Sequence, residues 1–290
     1  MSAAIAADRL GKRYGTRWAL RDCTLEVPAG SVTALVGPNG AGKTTLLHLI
    51  VGLTEPTDGS VIVLGASPRA QPTRVLPRIG FVAQDHPLEP RFRVGEMLTV
   101  GRKLNPRWDD ALARDWLRDR GIAVDRRVGE LSGGQQAQVA LALALAKRPE
   151  VLILDEPAAA LDPLARREFL QALMEAVVER ELTVLMSSHL LADLERVCDR
   201  LVVLAAGGVQ LNGPMDEIVA SHRVLVGPSG EDEAVARVHQ VVQARHTSRQ
   251  TTLLVRANGH VYDAHWQIED VALEDIVLAY LQHPEREVAS

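Results

Sequence analysis

Val32-Thr33-Ala34-Leu35-Val36-Gly37-Pro38-Asn39-Gly40-Ala41-Gly42-Lys43-Thr44-Thr45-Leu46-Leu47-His48-Leu49-Ile50 decides the fold. Its apolar head, Val32 to Val36, predicts a buried strand, and its tail, Leu46 to Ile50, predicts a helix. Between them lies the pattern G-x-x-x-x-G-K-[ST], in the strand–turn–helix context that gives it meaning. Glycines accept positive φ and carry no Cβ, so backbone N–H groups can converge on an anion. The helix N-terminus adds a partial positive charge. Lys43 is placed to reach the β- and γ-phosphates of a nucleoside triphosphate, and the Thr44 hydroxyl to bind Mg2+. A merely structural Gly-rich turn leaves Lys43 and the paired threonines unexplained. The loop implies a bound nucleoside triphosphate and does not say what its hydrolysis is for.

The chain has 290 residues, 47% of them apolar but only 3% aromatic, so Leu, Val and Ala must build the core. That length fits one large domain with an appendage. The net charge of −5 argues against a nucleic-acid partner, which would want a basic face. Cys23 and Cys198 give neither a disulfide framework nor zinc spacing and read as buried or idle thiols. Met1 to Ile5 lacks the charged and apolar regions of a signal peptide. The longest apolar run, Val139 to Ala146, ends at Lys147-Arg148-Pro149, well short of the roughly 18 residues a membrane span needs. A membrane role therefore requires a partner that supplies the spans.

Ahead of the loop, strands over Ile5–Leu10 and Ala19–Val27 predict a small antiparallel layer. Tyr14 lies on it and could stack on an adenine or be a half-buried strand tyrosine; Trp18 is the fallback. After the loop, strands are expected over Ser60–Leu64 and Ile79–Ala83, the second ending at Gln84, where α/β sheets place ligand-facing groups. Residues 86–147 read as a helical insert, with helices around Val94–Gly101 and Asp109–Arg120. Leu131-Ser132-Gly133-Gly134-Gln135 then opens a helix, offering a hydroxyl and free N–H groups to an anion, or simply an N-cap serine.

Val151-Leu152-Ile153-Leu154-Asp155-Glu156-Pro157 is a buried parallel strand ending in two carboxylates. Asp155 would hold Mg2+ through water, and Glu156 would orient or deprotonate the attacking water. Asp162 closes a turn into the next helix. Leu182–Met186 is another core strand, followed by Ser187-Ser188-His189, where His189 could bond a γ-phosphate. Leu201–Leu204 and Val209–Leu211 form a last strand pair. Residues 222–290 read as a small α+β extension, with strands at Arg223–Val226 and Thr251–Arg256 and helices at Asp232–Val242 and around Leu273–Tyr280. This tail has six arginines and no lysine against ten carboxylates, so it carries most of the net charge. Its histidines, His239, His246, His260, His265 and His283, lack ligand spacing and read as solvated.

In this order the motifs resemble the ATP-binding subunit of an ABC transporter, over roughly residues 4–220. The resemblance implies an α/β P-loop NTPase core with an antiparallel β layer over residues 1–221, carrying a helical insert. It implies ATP and Mg2+ as cofactors and a head-to-tail dimer with ATP sandwiched between two subunits. Residue by residue, Gly37–Thr45 would bind phosphate and Tyr14 adenine. Gln84 would sense Mg2+ and water beside the permease-facing surface, and Thr44 and Asp155 would hold the metal. Ser132, Gly133, Gly134 and Gln135 would act in trans, with Asp162 close by. Glu156 would be the catalytic base and His189 the switch histidine. The partners implied are an integral membrane permease and a second copy or a related subunit, at the cytoplasmic face of the membrane.

Leu273-Glu274-Asp275-Ile276-Val277 is similar to the terminal segment of export-type members. Two departures stand out. Ala158-Ala159-Ala160 replaces a stretch that usually carries hydroxyls, and Gln136-Ala137-Gln138 replaces more basic residues. A soluble ABC ATPase acting on ribosomes or nucleic acid is the competing expectation, disfavoured by a single cassette and the acidic balance. A P-loop GTPase fails because no Asn is followed by Lys.

Overall fold

The computed structural model describes residues 2–188, 190–230, 232–259 and 265–282. The chain opens with β1 (Ala3–Tyr14) and β2 (Arg17–Pro28), continues through β3 (Val32–Val36) and α1 (Lys43–Ile50), and reaches β4 (Asp58–Val63). β1 lies between β2 and β4 in an antiparallel three-stranded layer. A short α2 (Pro72–Val75) leads to β5 (Ile79–Val82). Then come α3 (Val94–Leu104), α4 (Asp110–Asp119), α5 (Gly133–Ala146) and β6 (Val151–Leu154). α6 (Pro163–Arg180), β7 (Thr183–Ser187), α7 (Leu191–Leu194), β8 (Arg200–Ala205) and β9 (Gly208–Pro214) complete the central sheet. Its order is β5-β6-β7-β3-β8-β9, parallel throughout except for β9.

Every residue of β3, β6 and β7 is buried, as expected of a parallel sheet covered on both faces. The strand period of two divides the core between those faces. Val36, Leu152, Leu154, Met186 and Val203 pack beneath α5 and α6. Leu35, Ile153, Leu185, Val202 and Leu204 pack against α1 and the antiparallel layer. α3, α4 and one side of α5 make a third cluster around Leu98, Leu117 and Val139. α5 is apolar nearly all round because it serves both clusters. Cys23 is buried and Cys198 half-buried; burial pushes both thiols up to about 12, in keeping with idle cysteines.

The remaining elements are α8 (Met215–Ser221), β10 (His222–Pro228), α9 (Asp232–Ala236), β11 (Gln240–His246), β12 (Gln250–Arg256), β13 (Gln267–Glu269) and α10 (Leu273–Gln282). The strands form an antiparallel sheet in the order β11-β12-β10-β13. The helix expected over Asp232–Val242 stops at Ala236. The β-branched pair Val241-Val242 belongs to β11, where pairing with β12 outweighs the helical spacing. His239 is also not the solvated residue expected: it is buried, and its Nδ1 accepts a hydrogen bond from the Asn258 N–H. His260 and His283 lie outside the described residues. Leu273, Ile276, Val277 and Tyr280 share one buried face of α10 and join the cluster that contains Leu201 and Val203 of β8. Buried His222 ties the start of β10 to α10, its Nε2 lying 3.1 Å from the Tyr280 hydroxyl.

Between the insert and the sheet, Glu150 receives two hydrogen bonds from Arg78 and one from Arg107, at 2.5–3.0 Å. Those bonds, from Arg78 first, lower its carboxyl from the usual 4.5 to about 2. A depressed carboxylate stabilises the fold fully above the unfolded value and loses that contribution as pH falls through the folded one. Glu150→Gln should therefore cost stability near neutrality and flatten the part of the acid-unfolding profile between about pH 4.5 and pH 2, read by circular dichroism. An unchanged profile would remove the clamp from the acid transition.

Candidate functional site

β3 sits between β7 and β8, and the chain leaves it to build the opposite edge of the sheet. The loop after β3 therefore lies at the carboxyl end of the parallel strands, where such sheets bind ligands. Two glycines are sterically required. A Cβ on Gly37 would stand 2.2 Å from the Leu204 carbonyl oxygen, and one on Gly42, at φ 107°, 2.6 Å from that of Ala19. Lys43 is 6% exposed; its Nζ folds back to donate to the Gly37 carbonyl at 2.7 Å and to that of Pro38 at 3.4 Å. α1 starts with no acidic side chain in its first turn. A cradle only glycine can build, a lysine within it and an open helix start fit a polyphosphate.

Register brings the acidic groups to the same end. Val82, Leu154 and Met186 are neighbours across β5, β6 and β7. One residue further along, Asp155 donates its N–H to the Val82 carbonyl and stands beside Ser187. Asp155 is 2% exposed, and its Oδ1 accepts from the Ser187 hydroxyl at 2.7 Å. The Glu156 N–H donates to the same hydroxyl oxygen at 2.8 Å. The Glu156 carboxylate lies 3.4 Å from Lys43 Nζ, so the loop lysine bridges its own carbonyls and the end of β6. Among the described residues no cluster of three or more His, Cys, Asp or Glu forms a metal cage. The oxygens of Thr44, Asp155 and Gln84 instead match a cation such as Mg2+ that keeps waters and takes phosphate ligands.

An open cleft of about 650 Å3 collects most of the expected nucleotide residues. Asn39, Gly40, Gly42, Lys43, Thr44 and Thr45 line it, with Tyr14 and Arg17 from the β1–β2 turn, Gln84 and Glu156. Tyr14 is half-exposed, with the Lys12 ammonium 5.2 Å from its ring centre. Trp18 is occupied elsewhere: Arg13 covers its ring at 5.4 Å, and its edge packs on Gly11. Gln84 lies in the turn after β5, which ends at Val82. His189 lies outside the described residues.

Ser132, Gly134 and Gln135 face a different cleft, of about 600 Å3, shared with Arg120 and with Glu168 and Glu175 of α6. Ser132 caps α5: its hydroxyl accepts from the Gln135 N–H, and the Gln135 side chain accepts from the Ser132 N–H, both at 3.2 Å. Gln136 Nε2 donates to the Leu131 carbonyl at 3.1 Å, and Gln138 Oε1 accepts from the Trp116 indole at 3.2 Å, so these glutamines brace the segment by hydrogen bonds. Gly133 packs near Leu161, and Asp162 caps α6 by accepting from the Leu164 and Ala165 N–H groups at 3.0 Å. The sequence assigns no role to Ser187; a hydroxyl at the carboxyl end of a core strand is the available signal.

Residues 20–159 match the family model described as ABC transporter. The Nod factor export ATP-binding protein I of Burkholderia lata is 35% identical over 243 residues, spanning 81% of this chain and 80% of that one. The chain belongs to the ATP-binding subunits of ABC transporters. It is also 38% identical over 234 residues to the Phosphonates import ATP-binding protein PhnC 2 of a Synechococcus, covering 74% of this chain and 86% of that one. Among solved structures, the dimeric post-hydrolysis state of the ATP-binding cassette MJ0796, bound to ADP and Pi, superposes with a TM-score of 0.66 at 26% identity, covering 72% of this chain and 98% of that one. The chain is thus an ABC ATPase with a P-loop NTPase fold.

Among the described residues Tyr14 is the one aromatic side chain that lines the loop cleft. Tyr14→Ala should weaken ATP binding by about 1–3 kcal/mol, roughly 5- to 150-fold, with an unchanged melting temperature. Unchanged affinity by isothermal titration would move the adenine contact elsewhere.

Proposed function

We propose that this ABC ATPase energises an exporter through a separate membrane permease, by ATP-driven closure of a head-to-tail dimer with Mg2+ at each site. One observation carries the reading: a single chain presents the phosphate loop and the Ser132–Gln135 segment on two different clefts. A γ-phosphate held by both needs a second subunit, and ATP then favours the closed dimer because only there does it touch both.

In this reading Tyr14 stacks on adenine, and the loop N–H groups and Lys43 bind the phosphates. When bound, Mg2+ would offset phosphate charge, held by Thr44, Asp155 and Gln84. Glu156 orients and deprotonates the attacking water after Lys43 turns from it to the phosphates. Ser132, Gly133, Gly134 and Gln135 of one subunit contact the nucleotide of the other beside Asp162, and His189 takes the switch role. No described helix is long and apolar enough to cross a membrane; in this reading a separate permease supplies the spans and the chain docks on it at the cytoplasmic face. Export is supported by the terminal helix pattern at Leu273–Val277 and by relatives named for export; a relative named for import makes direction a matter for transport assays.

Glu156→Gln should cut turnover by about 100-fold or more while ATP still binds. Retained turnover would remove Glu156 from its role. Affinity purification of the chain from detergent-solubilised native membranes should recover a stoichiometric polytopic membrane protein, identified by mass spectrometry. Recovery only from the soluble fraction, with ribosomes or nucleic acid, would overturn the transporter reading.

A further inference from the structure

Ser187 ends β7 fully buried, with a hydroxyl that touches both carboxylate residues of the neighbouring strand. β6 and β7 run parallel with Leu154 opposite Met186, so the next step on each strand sets Asp155 against Ser187. A serine hydroxyl has one hydrogen and two lone pairs. Because a backbone N–H only donates, the bond from Glu156 N must end on the Ser187 oxygen, which commits the hydroxyl hydrogen to Asp155 Oδ1. The carboxylate is thereby held by one oxygen, and Oδ2 is left for a cation or its water. The same hydroxyl pins Glu156 at φ 43°, a left-handed conformation L residues rarely adopt. That backbone sets the direction of the Glu156 side chain toward Lys43.

We propose that Ser187 is a positioning residue that orients Asp155 toward the catalytic cation and Glu156 toward the attacking water with one hydroxyl. This rests on the roles assigned to Asp155 and Glu156 above. The geometry gives two separable consequences, one for metal affinity and one for turnover. A small, partly open cavity beside Ser187, lined by Ala158, Ala159, Met186 and Leu190 among others, leaves room for a methyl group. Ser187→Thr and Ser187→Val are therefore a matched pair, equal in shape and differing in the hydroxyl.

The test uses the full chain, with Mn2+ as the metal probe. Bound Mn2+ is followed by electron paramagnetic resonance at saturating ATP, ATP affinity is measured in EDTA, and turnover is measured at saturating Mg2+. Ser187→Val is expected to leave ATP affinity in EDTA within about twofold, weaken Mn2+ binding about 10-fold and lower kcat about 10-fold or more. Ser187→Thr is expected to stay within about threefold of the parent in all three. Equal Mn2+ affinity and kcat in the two variants would overturn the proposal, as would a Thr variant as impaired as the Val variant. Should Val prevent folding, judged by circular dichroism, Ser187→Ala against Ser187→Thr makes the same comparison. Glu156→Gln, assayed alongside, separates the two claims: turnover retained there defeats the role of Glu156, while the Mn2+ difference between Val and Thr still reports on Ser187 and Asp155.

Discussion

A buried ammonium group, Lys43 Nζ, holds the site together. It lies between the carbonyls of Gly37 and Pro38 and the carboxylate of Glu156, at 2.7, 3.4 and 3.4 Å. Removing one partner of such a buried pair leaves an uncompensated charge, at about 3–5 kcal/mol. A ligand that draws Lys43 away from Glu156 must therefore replace the carboxylate with an anion of its own. In the proposed cycle a triphosphate does so, and the contact between Lys43 and Glu156 is broken in the same event. In that proposal the electrostatics of the cleft links nucleotide arrival to the residue assigned as base.

The sheet makes that arrangement possible. Five parallel strands place Gly37, Asp155 and Ser187 at one edge, and the fully buried β3, β6 and β7 fix their register from both faces. At this edge β6 and β7 exchange ladder partners for side-chain ones, and Ser187 becomes the junction. The segment proposed as the second half-site rests on different physics: a capping box at Ser132 and Gln135 fixes the start of α5, and Asp162 fixes the start of α6. Both helix starts are ordered before any partner arrives, which lowers the entropy lost on closing a dimer.

The loop, the strand with its two carboxylates and the presence of the other core strands were legible because each couples a hydrophobic run to a polar terminus, whereas their order in the sheet came only from the structure. Val32–Val36 matches β3 residue for residue. The choice of Tyr14 over Trp18 was not legible, since either aromatic fits the spacing; only the fold shows Trp18 engaged with Arg13 and Gly11. Ser187 escaped notice because its role arises from register with another strand. The tail misled for a related reason: Val241 and Val242 suit either period, and pairing with β12 decides. His239 looked solvated because its bond to Asn258 joins the segments just before β11 and just after β12, which only the fold brings together.

The central claim is that one chain supplies half of each of two composite ATP sites. Light scattering behind size exclusion tests it most directly, on the Glu156→Gln chain with and without Ser132→Arg, in ATP and in ADP. The account predicts a mass of twice the 31.5 kDa chain in ATP and a monomer in ADP. It also predicts that Ser132→Arg abolishes the dimer without changing the monomer's affinity for ATP. A chain that stays monomeric in ATP, or a dimer that survives Ser132→Arg, would contradict it.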